Sequence, residues 1–494
     1  MIALVLALTS MARGDDPSPI DRAKRNSATP DTQPTDIRVD EPETAARPGP
    51  RTLRAEEDWG PFGESGGALE GQRPLDRLKY LPLGADAYLT LGGQARIAYE
   101  LYVNENLGIV PQDDSGSLVI RHMGHLNLRI NDHYRVFAQY KTAAELGRDT
   151  GPLAVQQNGF DVHQGFIEAA TGTRSSPIRL GMRLGRQELR YGAGRIVDVR
   201  DGTANRRSFD AVRGRIRGRR FNVDVLAALE VSLQSGSFDD GVPEDGSPRT
   251  RFWGGVAEFA PSDARGFDVY YFGVDQDTLV YAEGSGDELR HSVGARFFQT
   301  SGRVRPDIEA IGQWGSFTAD GVATPLMIRS YAIEGLVSFR LSESGWRPDL
   351  QVGTGYVSGD GQRDDGILGT HRAPFPNLRF AGATSFIGPG NGYGANVRFV
   401  VSPNRKSQLQ LIYRAFSRAS VSDFTYTSFG VPQRASDSQA RYVGSSISAF
   451  GFIAPHPLAS IYATIEYFEP GAYLRSAPPA ERSLFATVGT KLEF

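Results

Sequence analysis

From residue 85 onwards, apolar and polar residues alternate in segments of about ten residues, which Gly, Pro, Asn and Asp separate. This alternation predicts β-strands, because successive side chains of a strand point to opposite faces of its sheet. Eighteen strands are predicted, at 88–102, 119–130, 134–146, 161–171, 178–191, 211–218, 221–231, 250–260, 266–277, 290–300, 304–316, 327–341, 348–360, 392–401, 406–418, 440–452, 459–468 and 484–494.

The connections between these strands alternate in length. The even-numbered ones are short turns, such as 131–133, 301–303 and 402–405. The odd-numbered ones are long: 103–118, 147–160, 192–210, 232–249, 278–289, 317–326, 361–391, 419–439 and 469–483. Bacterial outer-membrane barrels combine short periplasmic turns with long extracellular loops in this way. We therefore predict an all-β fold, a single transmembrane antiparallel β-barrel over residues 85–494, integral to the bacterial outer membrane and with both termini periplasmic.

The residues before the barrel divide into three parts. Residues 1–12 contain a short apolar run and a small-x-small site, which predict a signal peptide. Residues 13–58 are rich in Pro and charge and poor in apolar side chains, so disorder is predicted there. Residues 59–84 are predicted to be a transitional periplasmic segment. At the other end, the predicted last strand is amphipathic and closes on Phe494, a pattern typical of outer-membrane proteins.

Composition agrees with a barrel and excludes several other classes. No run of about 18 apolar residues is present, and the mean hydropathy of −0.33 suits strands of which only alternate residues face lipid. The net charge of −3 gives no case for nucleic-acid binding, and the absence of cysteine excludes thiolate metal sites. The seven histidines form no zinc spacing and no nucleophile motif is present, so we expect no enzyme and no required cofactor. A cluster of acids in one loop could bind Ca²⁺, although a solvated acidic loop is the better interpretation: Asp239, Asp240, Glu244 and Asp245.

Arginines fall on the predicted inward face of several strands. Arg96 and Arg183 alternate with apolar neighbours, and Arg213 and Arg215 do the same within one strand. An arginine at the lipid midplane costs about 2–4 kcal/mol, so these side chains should face the lumen. There they could bind carboxylates through the planar guanidinium fork, or pair with lumen acids such as Asp224 and Glu230 and brace the barrel.

The stretch from Gly185 to Gly192, with its continuation to Asp210, resembles the central signature of the alginate-export family of outer-membrane proteins. The block 358–360, the blocks 368–370, 374–376 and 387–389, and the segment 134–140 are similar to further parts of that family. The resemblance implies an eighteen-stranded barrel with an electropositive constriction through which secreted alginate leaves the cell.

Carried over residue by residue, the resemblance implies a set of substrate-binding residues in the lumen or constriction. They are Arg186, Gln187, Arg200, Arg206, Arg207 and Asp210 in the signature, with Arg96 and Arg129 on earlier strands.

The expected function is therefore a pore that exports an anionic polysaccharide, alginate or a similar uronate polymer. Outer-membrane lipid and periplasmic export proteins are the expected partners. Two alternatives stay open: an anion-selective porin for small solutes, and a barrel-borne enzyme or adhesin that uses the long loops. The segment 361–391 is the longest connection, so we also predict that it folds over or into the pore mouth.

Overall fold

The first and last long strands of the chain pair with each other, so the sheet closes into a barrel. The computed structural model describes residues 50–65, 75–113, 115–243, 248–262, 264–377, 382, 387–427, 430, 432–434 and 438–494. Within them, Gln94 pairs antiparallel with Glu493 and Val103 with Leu484, which joins the two ends of the sheet. The signal peptide and most of the predicted disordered segment lie outside the described residues.

Eighteen long strands within the described residues form this antiparallel barrel, as predicted. They are β1 (Ala87–Val103), β2 (Ser117–Ile130), β3 (Tyr134–Leu146), β4 (Asn158–Ala170), β5 (Ile178–Gln187), β6 (Phe209–Gly218), β7 (Phe221–Glu230), β8 (Thr250–Ser262), β9 (Arg265–Tyr281), β10 (Gly284–Gln299), β11 (Val304–Ala319), β12 (Leu326–Arg340), β13 (Asp349–Val357), β14 (Gly392–Asn404), β15 (Ser407–Ser417), β16 (Tyr442–His456), β17 (Ala459–Pro470) and β18 (Ser483–Glu493).

The helices in the described residues are all short. α1 (Gly60–Glu64) and α2 (Ala472–Arg475) are single turns. Four 3₁₀ turns lie at Arg54–Glu56, Asp76–Lys79, Glu105–Gly108 and Ala154–Gln156. None of the helices in the described part of the chain is both long and apolar enough to cross a membrane.

Alternation along the strands separates an apolar outer face from a polar inner one. In β1, Ile97 and Tyr99 are 44% and 43% exposed, whereas Arg96 and Glu100 are buried. In β6, Val212 and Ile216 are exposed, and Arg213 between them is buried. This is the face assignment that the sequence predicted for these two strands, since an outward apolar row suits lipid and an inward polar row suits a lumen.

Several predicted strand ends differ from the structure by a few residues, and two of these differences affect the interior of the barrel. The connection predicted at 278–289 is a tight hairpin at 282–283, because β9 and β10 continue beyond the predicted strand ends. Leu279 and Tyr281 extend β9 by packing with Phe317, Leu368 and Tyr426 in one buried cluster. The fifth strand was predicted to end at 191 but ends at Gln187, where the chain turns into the barrel and buries Leu189.

Residues 50–58, predicted as the end of the disordered segment, pack inside the barrel instead. Ala55 forms a buried cluster with Phe137 and Phe166, and Trp59 packs with Phe62 just after it. The composition is indeed poor in apolar residues, but charge pairing with the barrel wall holds this segment, as shown below. We call residues 51–64 the inner strap. After it, Leu81–Pro82 pairs with the start of β1.

Candidate functional site

The connection between β5 and β6, residues 188–208, folds into the barrel. Leu189 and Val197 are fully buried in a cluster with Phe209, Phe252 and Phe375. Arg195 reaches the inner faces of β11 and β12. Its Nη1 lies 2.6 Å from Glu309 Oε2, and its Nε lies 3.3 Å from Glu334 Oε2. The connection therefore crosses the lumen, and we call it the inward loop.

A second long connection, 358–391, meets the inward loop. Val197 and Phe375 form a parallel bridge, and the Asp198 amide donates to the Phe375 carbonyl at 2.8 Å. The Phe375 ring packs edge-on against Phe209 and Phe252, with centroids 5.0 and 5.1 Å away. The described part of this connection thus folds into the barrel, in agreement with its predicted placement. Burial also lowers the pKa of His371 in it to about 3, so this imidazole is neutral.

Three of the predicted arginines form one cluster on the inner wall. Arg183 donates to Glu168 from Nε at 2.7 Å, and Arg213 donates to Asp224 from Nε at 2.9 Å. Arg215 lies between them, with its Nη1 3.3 Å from Glu168 Oε2 and its Nε 3.9 Å from Asp224 Oδ1. We call these three residues the arginine triad: Arg183, Arg213 and Arg215.

The third carboxylate at the triad comes from the inner strap. Glu56 Oε2 lies 3.0 Å from Arg215 Nη2, and its Oε1 lies 3.4 Å from Arg183 Nη2 and 3.9 Å from Arg213 Nη1. Burial would raise the pKa of Glu56, but the guanidinium groups of Arg215, Arg183 and Arg213 hold it well below its usual range. Glu56 is thus an ionised ligand of all three arginines.

A second cationic cluster surrounds Asp201 in the inward loop. Arg121 Nη2 and Arg206 Nη1 lie 2.8 and 3.1 Å from Asp201 Oδ1, and Arg96 donates to its backbone carbonyl at 3.0 Å. Burial would raise the pKa of Asp201, but Arg121, Arg206 and Arg96 hold it far below its usual range. Arg206 also pairs with Glu188 at 2.7 Å. The predicted residues Arg96 and Arg206 therefore meet at one site.

Arg207 holds the inward loop against the wall of the barrel, and Arg200 stabilises the loop from within. Arg207 pairs with Glu230 at 2.9 Å, and its guanidinium lies 5.1 Å from the centre of the Phe375 ring. Arg200 donates to the Asn205 carbonyl at 3.3 Å. Burial and the charge of Arg207 lower the pKa of Arg200 to about 9. These two contacts stabilise the loop that carries the Asp201 cluster.

Arg186 and Asp210 do not face the lumen, which corrects their predicted placement. They form a bidentate pair, at 2.9 and 3.1 Å, on the outward face that they share with Leu184 and Val212. Arg186 also donates to the Asp240 carbonyl at 3.1 Å. The prediction followed the family signature rather than the parity of β5, in which Arg183 points inward and Arg186, three residues later, points outward.

Gln187 and Gly185, both in the signature, have structural roles at the end of β5. The Gln187 side chain is fully buried and donates to the carbonyls of Gly185 and Ala211 at 3.2 Å, which fixes the end of β5. Gly185 has φ of +125°, and a Cβ there would lie 2.3 Å from the Gly165 carbonyl oxygen. Only glycine permits this close approach of β4 and β5.

Arg129 lies near the short-turn end of the barrel and binds the inner strap. Its Nη2 donates to the Glu57 carbonyl at 3.4 Å, and its Nε lies 4.0 Å from Asp58 Oδ1. Arg174, in the turn after β4, lies 3.3 Å from the same carboxylate. Burial would raise the pKa of Asp58, but Arg129 and Arg174 hold it well below its usual range.

Several residues of these clusters were not predicted from the sequence. Arg121 has the inward parity of Arg96 on a neighbouring strand, and this parity could have identified it. Arg195 stands within the family signature but was not selected. Glu56 was assigned to disorder, and the composition of residues 13–58 carries no signal that one of its acids enters the barrel.

The acidic loop is described only in part, because Glu244 and Asp245 lie outside the described residues. Asp239 and Asp240 come together with Asp161, their carboxylate oxygens lying within 4.8 Å of one another. Lys141 Nζ lies 2.7 Å from Asp240 Oδ2, so an ammonium group already offsets part of this negative charge. The Ca²⁺ site stays a prediction.

The geometry described so far is an eighteen-stranded barrel whose signature loop folds inward and carries a cluster of arginines. The profile of a family described as alginate export matches residues 87–486. This chain belongs to the alginate-export family. No curated protein shows a significant match to it.

Solved structures of porins have the same fold as this alginate-export family member. A BenF-like porin from Pseudomonas fluorescens Pf-5 is similar with a TM-score of 0.55 and 10% identity, over 83% of this chain and 99% of the porin. Pseudomonas aeruginosa OpdK, solved with vanillate, gives a TM-score of 0.53 and 10% identity over 83% and 98% of the two chains. P. aeruginosa OccK8 (OprE) gives 0.52 and 12% identity over 82% and 98%.

Family and fold agree on location and on the general role. The protein is an integral β-barrel of the outer membrane and forms an outer-membrane pore. Its family and fold are those of transport proteins.

Proposed function

We propose that this pore exports an anionic polysaccharide, alginate or a similar uronate polymer, along the arginines of its lumen. The observation that carries the proposal is the carboxylate of Glu56 bound by three arginines of the wall. A site that binds the carboxylate of a side chain has the charge and the planar donors to bind the carboxylate of a sugar.

The distribution of the arginines also supports a sliding polyanion. The Asp201 cluster, the triad and the Arg129–Arg174 pair are separate sites, and conduction needs several weak sites rather than one tight one. Each cluster contains carboxylates as well as guanidinium groups, which moderates its affinity for an added anion. Positive charge inside a low-dielectric wall still raises the local concentration of anions. We further propose that the outward apolar face contacts outer-membrane lipid and that periplasmic export proteins deliver the polymer.

A second candidate is an anion-selective porin for small solutes. It is favoured by the filling of the lumen, where the inward loop, the connection 358–391 and the inner strap all contact the wall or one another. A lumen filled in this way suits a small anion better than a polymer. A barrel-borne enzyme or adhesin has no comparable support from the described residues.

Conductance in planar bilayers tests the proposal. An oligomannuronate should block the chloride current of the parent protein, and a neutral maltooligosaccharide of the same length should not. Block by small carboxylates alone would favour the porin, and absence of conductance would contradict both candidates.

A matched pair of variants tests the role of the lumen arginines in this block. Arg215→Gln should weaken block by about tenfold, whereas Arg186→Gln, the same change on the outward face, should leave it unchanged. Equal effects of the two variants would contradict binding at the triad.

A further inference from the structure

The inner strap runs along the inside of the barrel from the inward loop to the short-turn end. At one end, Arg206 of the inward loop donates to the Thr52 carbonyl at 2.9 Å. In the middle, Glu56 contacts the arginine triad. At the other end, Asp58 lies between Arg129 and Arg174, and Glu64 pairs with Arg174 at 2.7 Å. The strap therefore carries carboxylates past successive arginines of the wall, as an anionic polymer in the lumen would.

The triad can bind one more carboxylate than the wall of the barrel supplies. Glu168 and Asp224 are the carboxylates of the wall that contact Arg183, Arg213 and Arg215 in the described structure. Asp224 also pairs with Arg217 at 2.8 Å, so two wall carboxylates face the triad and this fourth guanidinium group, and Glu56 brings the number of carboxylates to three. Buried charges are stable when paired, so this position favours an anion whether the strap or a solute provides it.

Glu56 is also more accessible than the arginines that it binds. Its side chain is 28% exposed, compared with 1% for Arg183 and 9% for Arg215. A solute in the lumen can therefore reach the Glu56 carboxylate more readily than the guanidinium groups behind it. Exchange of one carboxylate for another leaves the three arginines paired before and after, which avoids leaving a buried charge without a counter-ion.

We propose that Arg183, Arg213 and Arg215 form a carboxylate-binding site whose resident ligand is Glu56, and that a uronate carboxylate of the passing polymer displaces it. This inference rests on the proposed function. Displacement moves the strap around Glu56 away from the wall and separates Ala55 from Phe137 and Phe166. The strap then acts as an internal competitor, which leaves the site when polymer enters.

The absence of cysteine from the chain allows strap movement to be measured directly. Ala55 is 4% exposed, so Ala55→Cys introduces a single buried thiol. We expect slow reaction of this thiol with a maleimide in the refolded full-length protein. An oligomannuronate should accelerate the reaction by about tenfold, and a neutral maltooligosaccharide should not change it. Proper folding of each variant is verified by its resistance to unfolding in SDS.

A second pair of variants separates the triad from the rest of the strap. Glu56→Gln combined with Ala55→Cys should raise the labelling rate about tenfold without any sugar, since the strap loses its ionised ligand. Glu64→Gln combined with Ala55→Cys is the control, because Glu64 binds Arg174 and not the triad. It should label at the rate of Ala55→Cys alone.

Two outcomes overturn the inference. If Glu56→Gln leaves the labelling rate unchanged, Glu56 does not hold the strap. If the labelling rate rises in Glu56→Gln but does not respond to oligomannuronate, the polymer does not displace the strap. Block of the parent's conductance by oligomannuronate is measured in parallel. If block persists while labelling is unchanged, the proposed function stands and the displacement is wrong; if block is absent, the proposed function itself fails.

Discussion

Val197 and Phe375 lie side by side in a parallel bridge, although one belongs to the inward loop and the other to the connection between β13 and β14. Backbone hydrogen bonds flank the bridge, from the Asp198 amide to the Phe375 carbonyl at 2.8 Å and from the Phe375 amide to the Ile196 carbonyl at 3.0 Å. The two connections therefore form one unit inside the barrel, and a change in either should affect both.

Replacing Phe375 by Ala should loosen this unit. The ring is 1% exposed and packs against Phe209 and Phe252, and truncation of a buried Phe costs about 3–5 kcal/mol. We expect larger single-channel conductance and faster proteolysis within the inward loop. Phe297→Ala is the matched control, because Phe297 is 41% exposed on the outward face. Equal conductance of the two variants would contradict a constriction formed by this unit.

Replacing Asp201 by Asn should destabilise the inward loop. The change leaves Arg96, Arg121 and Arg206 around an uncharged side chain, and removing one partner of a buried ion pair costs about 3–5 kcal/mol. Chemical denaturation should show a lower free energy of unfolding. In the control, Asp275→Asn breaks the exposed pair with Arg251, where a loss of about 0–1 kcal/mol is expected. Comparable losses in the two variants would mean that Asp201 does not anchor the loop.

The contacts of the inner strap should persist at moderately acid pH. Burial would raise the pKa of Glu57, but Arg54 and Lys79 lower it to about 2, and the pKa of Glu56 also lies well below its usual range. A carboxylate whose pKa is lower in the folded protein than in the unfolded chain stabilises the fold fully at pH values above its unfolded-state pKa. This contribution is lost as the pH falls through its folded-state pKa. Labelling of Ala55→Cys by a dipyridyl disulfide should stay slow at pH 4 and accelerate near pH 2. Acceleration already at pH 5 would contradict these pairings.

The loops at the opposite end should respond to pH in the reverse direction. Burial and the nearby charges of Asp423 and Asp360 raise the pKa of Glu283 to about 7. A carboxyl group with a raised folded-state pKa stabilises the fold while protonated and loses that contribution as pH rises through about 7. Hydrogen exchange of residues 282–284 and 420–426 should therefore be faster at pH 8.5 than at pH 6, after correction for intrinsic rates. Glu283→Gln should abolish this difference between the two pH values. If the difference persists in the variant, the titration of another group causes it.

Removing part of the connection 358–391 tests its role as a gate. Deleting residues 364–386 and joining the ends with a short Gly-Ser linker removes Phe375 and His371 but leaves the ends of β13 and β14. We expect a rise in conductance by severalfold, since the partner of the inward loop is lost. Unchanged conductance would mean that this connection packs in the barrel without restricting ion flow.

The barrel could be predicted from the sequence because strand alternation is a local property. Arg96, Arg183, Arg213 and Arg215 each have apolar neighbours on both sides, so parity alone assigns them to the inner face. The length of the β9–β10 hairpin could not be predicted from alternation. Leu279 and Tyr281 continue β9 because they pack with Leu368 and Tyr426, which are distant in sequence.

The partners of the site arginines were less predictable than their faces. Asp224 lies one strand away from Arg213 and was foreseen as a brace, whereas Glu56 contacts Arg215 from a segment 159 residues earlier in the chain. Its sequence surroundings have no apolar periodicity, so no local pattern distinguishes a docked segment from a disordered one. Arg186 was misplaced because the family signature does not reveal which of its residues point inward.

The strap is also attached to the seam at which the barrel closes. Arg54 Nη2 donates to the carbonyl of Gly93 in β1 at 2.7 Å and to the carbonyl of Phe494, just after β18, at 3.0 Å. Lys79, close behind the strap in sequence, lies 5.2 Å from the centre of the Phe494 ring. One guanidinium group thus contacts both of the strands whose pairing closes the barrel. Docking of the strap therefore also stabilises the closed cylinder, and a barrel without its strap would lose these contacts across its lateral joint.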